Sequence, residues 1–199
     1  VPMVRRTLSS DPDQALLDQA EALVREGQTQ QAEDLLGAQI RQRGGTPAVH
    51  QQYRKLLKLR GDAATLSAHG RDYIAILLAQ QQDKAALDIA RDSAAADPGF
   101  SLAQPEQVNV LAQKAAQLGQ SQLALQLVAG FHRRYPRHAD VAPNALLEAR
   151  LLADKLGRDR EAQAVLDEAR EAFVGHPLRA EMESYRSFLQ SLASPASRG

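Results

Sequence analysis

Apolar residues recur along the chain at intervals of three and four, the spacing that places side chains on one face of an α-helix. Residues that start or stop helices bound each apolar stripe, as Pro12 and Gly27 bound the first. No stretch alternates with the two-residue period of a half-buried strand, so we expect no sheet. The stripes predict ten helices, at about residues 11–27, 28–43, 47–61, 62–81, 83–97, 105–118, 121–135, 142–156, 158–173 and 178–192.

A short motif joins several of these helices. A glycine ends one helix, and five residues later an alanine lies inside the next. Glycine closes a tight turn because it adopts a positive φ without a Cβ clash, and the alanine lets the second helix approach the first. The glycines recur at similar intervals, from position 27 to 61 and from 119 to 157, and a period of this length is typical of a solenoid built from helix pairs. The pairs are Gly27/Ala32, Gly119/Ala124 and Gly157/Ala162, with Gly61/Leu66 as a variant.

The second helices of these pairs resemble a known repeat. The pattern G-x-x-x-x-A-x-x-x-L, closed by a proline twelve residues after the alanine, is similar to the second helix of a tetratricopeptide repeat. Ala124 to Pro136 has this spacing, and so does Ala86 to Pro98, where Gln81 replaces the turn glycine. The aromatic residue expected early in each first helix is absent, so the repeats are degenerate. The resemblance covers about residues 12–192 and implies an all-α fold, a right-handed superhelix (solenoid) of antiparallel helix pairs with a C-terminal capping helix.

Two helices depart from the simple repeat. The interval from Gly61 to Gln81 is too short for a full repeat, so we expect the long fourth helix to close one pair and open the next. The last helix carries one apolar stripe among charged residues, which is typical of the cap that covers the end of a repeat array. That stripe consists of Met182, Tyr185, Leu189 and Leu192.

Proline and polar segments predict the domain organisation. Prolines bound the connector "PGFSLAQP", which we interpret as a hinge between two helical halves. The predicted segments are a flexible N-terminus at 1–11, a first half at 12–97, the connector at 98–105, a second half at 106–192 and a disordered tail at 193–199.

Charge and composition exclude several classes of binding partner and site. The 199 residues contain 24 basic and 24 acidic side chains, evenly spread, and a nucleic-acid binder normally has a basic face, so we predict no nucleic acid. No cysteine is present, which excludes disulfides and thiolate metal sites. No apolar run is long enough to span a membrane, so we predict no membrane insertion and a cytoplasmic location. The sequence begins Val-Pro-Met, so a fragment of a longer protein, tethered to a membrane by a segment outside this chain, stays open.

No recognised catalytic motif occurs in the sequence, neither H-E-x-x-H nor a nucleophile elbow nor a glycine-rich phosphate loop. We interpret His132, in a basic segment at a helix end, as a complement to the helix dipole. We interpret Glu168 and Glu171 as solvent-facing residues of one helix. The chain is therefore predicted to have no catalytic residues, no metal site and no cofactor, and not to be an enzyme.

Binding is the favoured function, because stacked helix pairs leave a concave face. In tetratricopeptide proteins the first helix of each pair lines that face, and amide side chains there suit a peptide backbone. The resemblance implies a peptide-binding groove lined by polar residues of the first helices. They are Gln14, Asp18, Gln51, Gln52, Lys55, Asn109, Gln113, Asn144 and Glu148.

Two functions remain open at this stage. The first is a non-enzymatic scaffold that binds a protein or peptide partner through that groove. The second is a soluble regulatory or structural domain of a larger bacterial protein, membrane-anchored or not, that acts in self-assembly as a homo-oligomer. The preponderance of 19 Arg over 5 Lys is the observation that suggests a bacterial source.

Overall fold

The computed structural model describes residues 12–193, and those residues form helices and no strand. The all-α prediction is confirmed for this part of the chain. Two short helical turns of other types follow α9 and α10, a π-turn at Leu151–Lys155 and a 3-10 turn at Arg170–Phe173. The α-helices are α1 Pro12–Arg25, α2 Thr29–Arg43, α3 Pro47–Arg60, α4 Ala63–Ala79, α5 Asp83–Ala96, α6 Glu106–Gln117, α7 Ser121–Val128, α8 Phe131–Arg134, α9 Val141–Arg150, α10 Asp159–Glu168 and α11 Arg179–Ala193.

Five turns between helices share one geometry, and they fall where the repeat motif predicts them. One residue in each adopts a left-handed backbone conformation, with φ between 59° and 76°. The residue five positions later is buried in the following helix. This shared geometry confirms the predicted register. The turn residues and the buried residues are Gly27/Ala32, Gly61/Leu66, Gln81/Ala86, Gly119/Ala124 and Gly157/Ala162.

Hydrogen bonds close these turns in the same way. The N–H after the left-handed residue donates to a carbonyl five residues earlier, as Gln28 does to Leu23 at 2.8 Å. At the last turn Arg158 instead donates to Leu152, six residues earlier. The π-turn supplies that extra residue, because a π-turn holds one more residue than an α-turn.

The chain divides into two compact units, one ending at His69 and one beginning at Gly70. In the first unit α2 packs against both α1 and α3, and α1 also contacts α3. Its helices bury a core of small and branched aliphatic residues and one tyrosine. These are Ala20, Ala32, Leu36, Val49, Tyr53, Leu56, Leu57 and Leu66.

The second unit also packs its helices in sequential pairs. α6 lies against α5 and α7, α9 contacts α6, α7 and α10, and α11 covers α10. Helix α4, the longest in the described residues, contributes Leu66 to the first core, and Tyr73 and Ile74 to the second. It therefore serves two helix pairs, as predicted.

The predicted connector at 98–105 lies inside the second unit. Phe100 and Leu102 are buried in its core, and the Ser101 carbonyl accepts a hydrogen bond from Arg71 Nε at 3.0 Å. The two compact units thus divide within α4 rather than at the prolines, because apolar anchors fasten the connector to the helices around it. Movement at this connector stays a prediction.

Besides the π-turn and the 3-10 turn, two further predictions differ from the structure. The helix expected at 121–135 is broken into α7 and α8, because Gly130 adopts a left-handed conformation with φ of 72°. The predicted stripe of the last helix is only partly buried. Met182 and Leu189 are buried, whereas Leu192 is 45 % exposed. The predicted flexible N-terminus and disordered tail lie outside the described residues, except for Ala193 at the end of α11.

Replacing Ala124 with leucine tests the close approach of paired helices. Ala124 is fully buried, so the larger side chain has to displace its neighbours. We expect Ala124→Leu to lower the free energy of unfolding by about 1–3 kcal/mol in urea titrations. Ala180→Leu on the exposed face of α11 is the matched control and is expected to be neutral. Equal stability of the two variants would contradict the packing described here.

Gln81 provides a test of backbone strain in the turns, because it is the one non-glycine residue with positive φ in the described chain. A left-handed conformation costs an L-residue about 1 kcal/mol, which glycine avoids. We expect Gln81→Gly to raise the thermal midpoint. The reciprocal change Gly119→Ala should lower it, although a Cβ at Gly119 meets no atom within 4 Å. A loss of stability in Gln81→Gly would show that this turn is not strained.

Candidate functional site

A groove of about 600 Å³ runs between α1 and α3 in the first unit. Each helix contributes a stripe at intervals of three and four residues, so successive turns present side chains to the same side. The lining residues are Gln14, Leu17, Asp18, Glu21, Val24 and Arg25 from α1, and Ala48, Gln51, Gln52, Lys55, Leu56 and Leu59 from α3.

Five of the nine residues predicted for the peptide site line this one groove. They come from the first helices of two successive pairs, which lie side by side because α1 contacts α3 directly. The turns that follow these two helices, at Gly27 and Gly61, are one repeat period apart, so the period itself aligns the two stripes. The five residues are Gln14, Asp18, Gln51, Gln52 and Lys55.

The groove combines amide groups, charges and apolar surface. Gln14 donates a hydrogen bond to Asp18 at 2.9 Å, and Arg25 lies 3.8 Å from Glu21. Gln51 and Lys55 are exposed, and the Leu59 side chain is 68 % exposed. Such a surface offers hydrogen-bonding groups for a backbone beside an apolar contact for a side chain.

The other predicted site residues lie in the second unit. Asn109 on α6 donates from Nδ2 to Asn144 Oδ1 on α9 at 2.7 Å. Asn144 is completely buried, whereas Gln113 is exposed. The Asn109–Asn144 hydrogen bond joins two packed helices, so this pair is not part of the proposed binding surface.

Glu148 is also buried, one helical turn from Asn144. Its Oε1 accepts a hydrogen bond from the backbone N–H of Gly130 at 3.3 Å, and burial raises the pKa of this carboxyl group. His132 Nδ1 lies 3.9 Å from Glu148 Oε2. Glu148 therefore holds the turn between α7 and α8 and does not face a solvent-filled groove.

The sequence did not predict the ion pairs of Glu168. His132 Nε2 lies 2.6 Å from Glu168 Oε2, and Arg133 donates two hydrogen bonds to the same carboxylate at 2.9 and 2.8 Å. These bonds, first from Arg133 and then from His132, lower the pKa of Glu168 to about 2. Glu168 is exposed, as expected, but its carboxylate is held by two basic side chains that no sequence pattern indicated. His132 is buried against this carboxylate, and it does more than complement a helix dipole.

A second missed group lies on the opposite side of α3 from the groove. His50 and Arg54 are each 3 % exposed and make hydrogen bonds to His69 on α4. The signal in the sequence was the position of His50 between the core residues Val49 and Tyr53, on the apolar face of α3. The partner, His69, lies on the next helix and has no local signal.

Neither a metal site nor a membrane span is found within residues 12–193. No group of three or more His, Asp or Glu side chains there is placed to hold a metal ion. None of the helices in that range is long and apolar enough to cross a membrane.

Comparison with known proteins gives a distant structural relative. No protein-family model matches the sequence, and no curated protein matches it significantly. A crystal structure of a tetratricopeptide repeat protein from Parabacteroides merdae ATCC 43184 aligns with 94 % of this chain and 67 % of its own length. The two are 18 % identical with a TM-score of 0.35, values too low for the likeness to support a conclusion about fold or function.

A double-mutant cycle tests the structural role of Asn109 and Asn144. We expect Asn144→Ala to lower the free energy of unfolding by about 1–3 kcal/mol, because it leaves a polar partner unsatisfied in a packed interface. The coupling between Asn109→Ala and Asn144→Ala should be about 1 kcal/mol. Additive effects of the two substitutions in urea titrations would contradict a hydrogen bond between these side chains.

Proposed function

We propose that this protein is a non-enzymatic helical-repeat scaffold that binds a peptide segment of another protein in the groove between α1 and α3. The observation that supports the proposal most is the convergence of Gln14, Asp18, Gln51, Gln52 and Lys55 on one groove. Their predicted role came from their place in the repeat alone, and the packing of α1 on α3 brings them together.

The size of the groove fits a short segment. The α1 stripe from Gln14 to Arg25 is about 16 Å long at 1.5 Å per residue, which accommodates about five residues of extended chain. The amides of Gln51 and Gln52 can bond to a peptide backbone, since each amide both donates and accepts. Leu59 offers apolar surface for a side chain of the partner.

The scaffold role fits the remaining sequence properties. It requires neither cofactor nor metal, and a net charge of zero gives no basic field for nucleic acid. The location that we propose is the cytoplasm.

Self-assembly is a second candidate function, favoured by a different observation. On α11 the side chains of Phe188 and Leu192 are 51 % and 45 % exposed, one turn apart on the last helix of the described chain. Exposed apolar side chains at the end of a repeat array suit contact with a second copy. Light scattering separates the candidates, because assembly requires a mass that rises with concentration and a groove scaffold does not.

Panning a phage-displayed library of random peptides against the full chain tests the groove. We expect enriched peptides that bind the unmodified protein and bind about tenfold more weakly after Gln51→Ala and Gln52→Ala together, from the loss of backbone hydrogen bonds. The matched control is Gln19→Ala with Gln31→Ala, two exposed glutamines of the same unit outside the groove. Peptides insensitive to the groove variant, or an unenriched library, would overturn the proposal.

A further inference from the structure

Three buried side chains form a hydrogen-bonded chain between α3 and its neighbours in the first unit. Arg54 Nη1 lies 3.1 Å from His69 Nδ1, and His69 Nε2 lies 2.8 Å from His50 Nδ1. His50 Nε2 then lies 2.6 Å from the carbonyl oxygen of Gly44, the residue that caps α2. Arg54 Nη1 also donates to the Leu66 carbonyl at 3.1 Å. The chain thus fastens α3 to α4 and to the end of α2.

The chemistry of the two ends fixes every proton in this chain. The guanidinium of Arg54 only donates, so His69 accepts at Nδ1 and carries its proton on Nε2. His69 therefore donates from Nε2, and His50 accepts at Nδ1. The Gly44 carbonyl can only accept, so His50 carries its proton on Nε2. Both imidazoles are therefore neutral, and all three links are satisfied by one arrangement.

An additional proton has no place in this arrangement. On His50 it would set two N–H groups against each other at the link to His69. If His69 changed tautomer to relieve that contact, its new Nδ1–H would face the N–H of Arg54. A protonated imidazole would also be buried beside a permanent positive charge, which is costly.

The pKa values follow this geometry. Burial, and then the charges of Arg54 and His50, lower the pKa of His69 from 6.5 to about 3. Burial lowers the pKa of His50 as well; the hydrogen bond to the Gly44 carbonyl opposes this shift, and the charge of Arg54 adds to it. The unfolded imidazoles take up protons near their ordinary pKa of 6.5, so the stability of this arrangement is complete above that pH and declines as the pH falls toward 3.

Other ionisable groups lie around the pair. From α3 the neighbours are Arg54 and Tyr53. The Tyr53 ring lies edge-on to the His69 ring, with 5.1 Å between the two ring centroids. The charges that act on Tyr53 in turn come from α2 and from the residue before α4. They are Glu33, Asp34, Arg41 and Asp62.

Helix α3 connects this hydrogen-bonded chain of side chains to the groove. His50 and Arg54 are each followed by a residue of the groove wall, Gln51 and Lys55. One rigid helix therefore carries the polar chain on its buried side and the groove wall on its open side. A shift of α3 away from α4 and Gly44 moves that wall relative to α1.

We propose that the His50–His69 pair is a proton-operated gate for the groove: acidification breaks the chain Arg54–His69–His50–Gly44, releases α3 and opens the groove. The inference rests on the proposed function only in taking this groove as the binding surface. The effector is the proton itself, and the expected consequence is weaker peptide binding at about pH 4 than at neutral pH.

Distance measurements in the full 199-residue chain test the gate without any peptide. The protein contains no cysteine, so Gln14→Cys on α1 and Gln52→Cys on α3 accept nitroxide labels only at the two walls of the groove. Electron paramagnetic resonance then reports the separation of the labels. Between about pH 7.5 and about pH 4 we expect this separation to lengthen and broaden reversibly.

Matched variants identify the side chains that make the label separation depend on pH. His50→Gln with His69→Gln keeps one donor and one acceptor at each position and removes the titration, so the separation should no longer depend on pH. His176→Gln, a histidine of the other unit, should leave the shift intact. A constant separation in the labelled parent, or a shift that persists in the double glutamine variant, overturns the proposal.

Nitrogen NMR of the histidines in the unsubstituted chain gives an independent reading, should the double variant fail to fold. We expect both imidazoles to be neutral at about pH 6 with the proton on Nε2. Titration of both near their ordinary pKa in the folded protein overturns the gate. Loss of peptide binding at neutral pH would instead overturn the proposed function and leave the label distances unaffected.

Discussion

The close approach of the two helices in each pair is the constraint on which the rest of the structure depends. A left-handed residue turns the chain sharply, and in four of the five turns a buried alanine five positions later leaves no large side chain to hold the helices apart. Ala32 and Ala124 are both completely buried at this point. Because the contact is made at the start of each second helix, it sets the angle at which the pair stacks on the next, and hence which faces of the first helices remain open.

Helix α3 shows what this stacking makes possible. Its core face packs through Val49, Leu56 and Leu57, its open face lines the groove, and its remaining edge holds His50 and Arg54. The polar chain and the groove are therefore two properties of one rigid element. Coupling between them needs no long pathway, because a helix moves as a body.

Burial decides the chemistry of Glu148 in the second unit, and hydrogen bonding decides that of Glu168. Glu148 is buried and has a raised pKa, whereas Glu168 is held by Arg133 and His132 and has a lowered one. Both carboxylates connect segments far apart in sequence, and both fasten the region around Gly130 where α7 gives way to α8. Glu148, which the repeat pattern assigns to a binding face, is used here to hold a break between helices.

The sequence by itself determined the all-helical fold, the repeat register and the five turns of the repeat motif. Helical periodicity and the conformational freedom of a turn residue are local properties, so even Gln81 could be placed in a turn from its spacing. Tertiary structure alone decided that Gln52 lines a groove while Asn144 is buried. It also decided that His50 meets His69, because these outcomes depend on which faces of neighbouring helices come together.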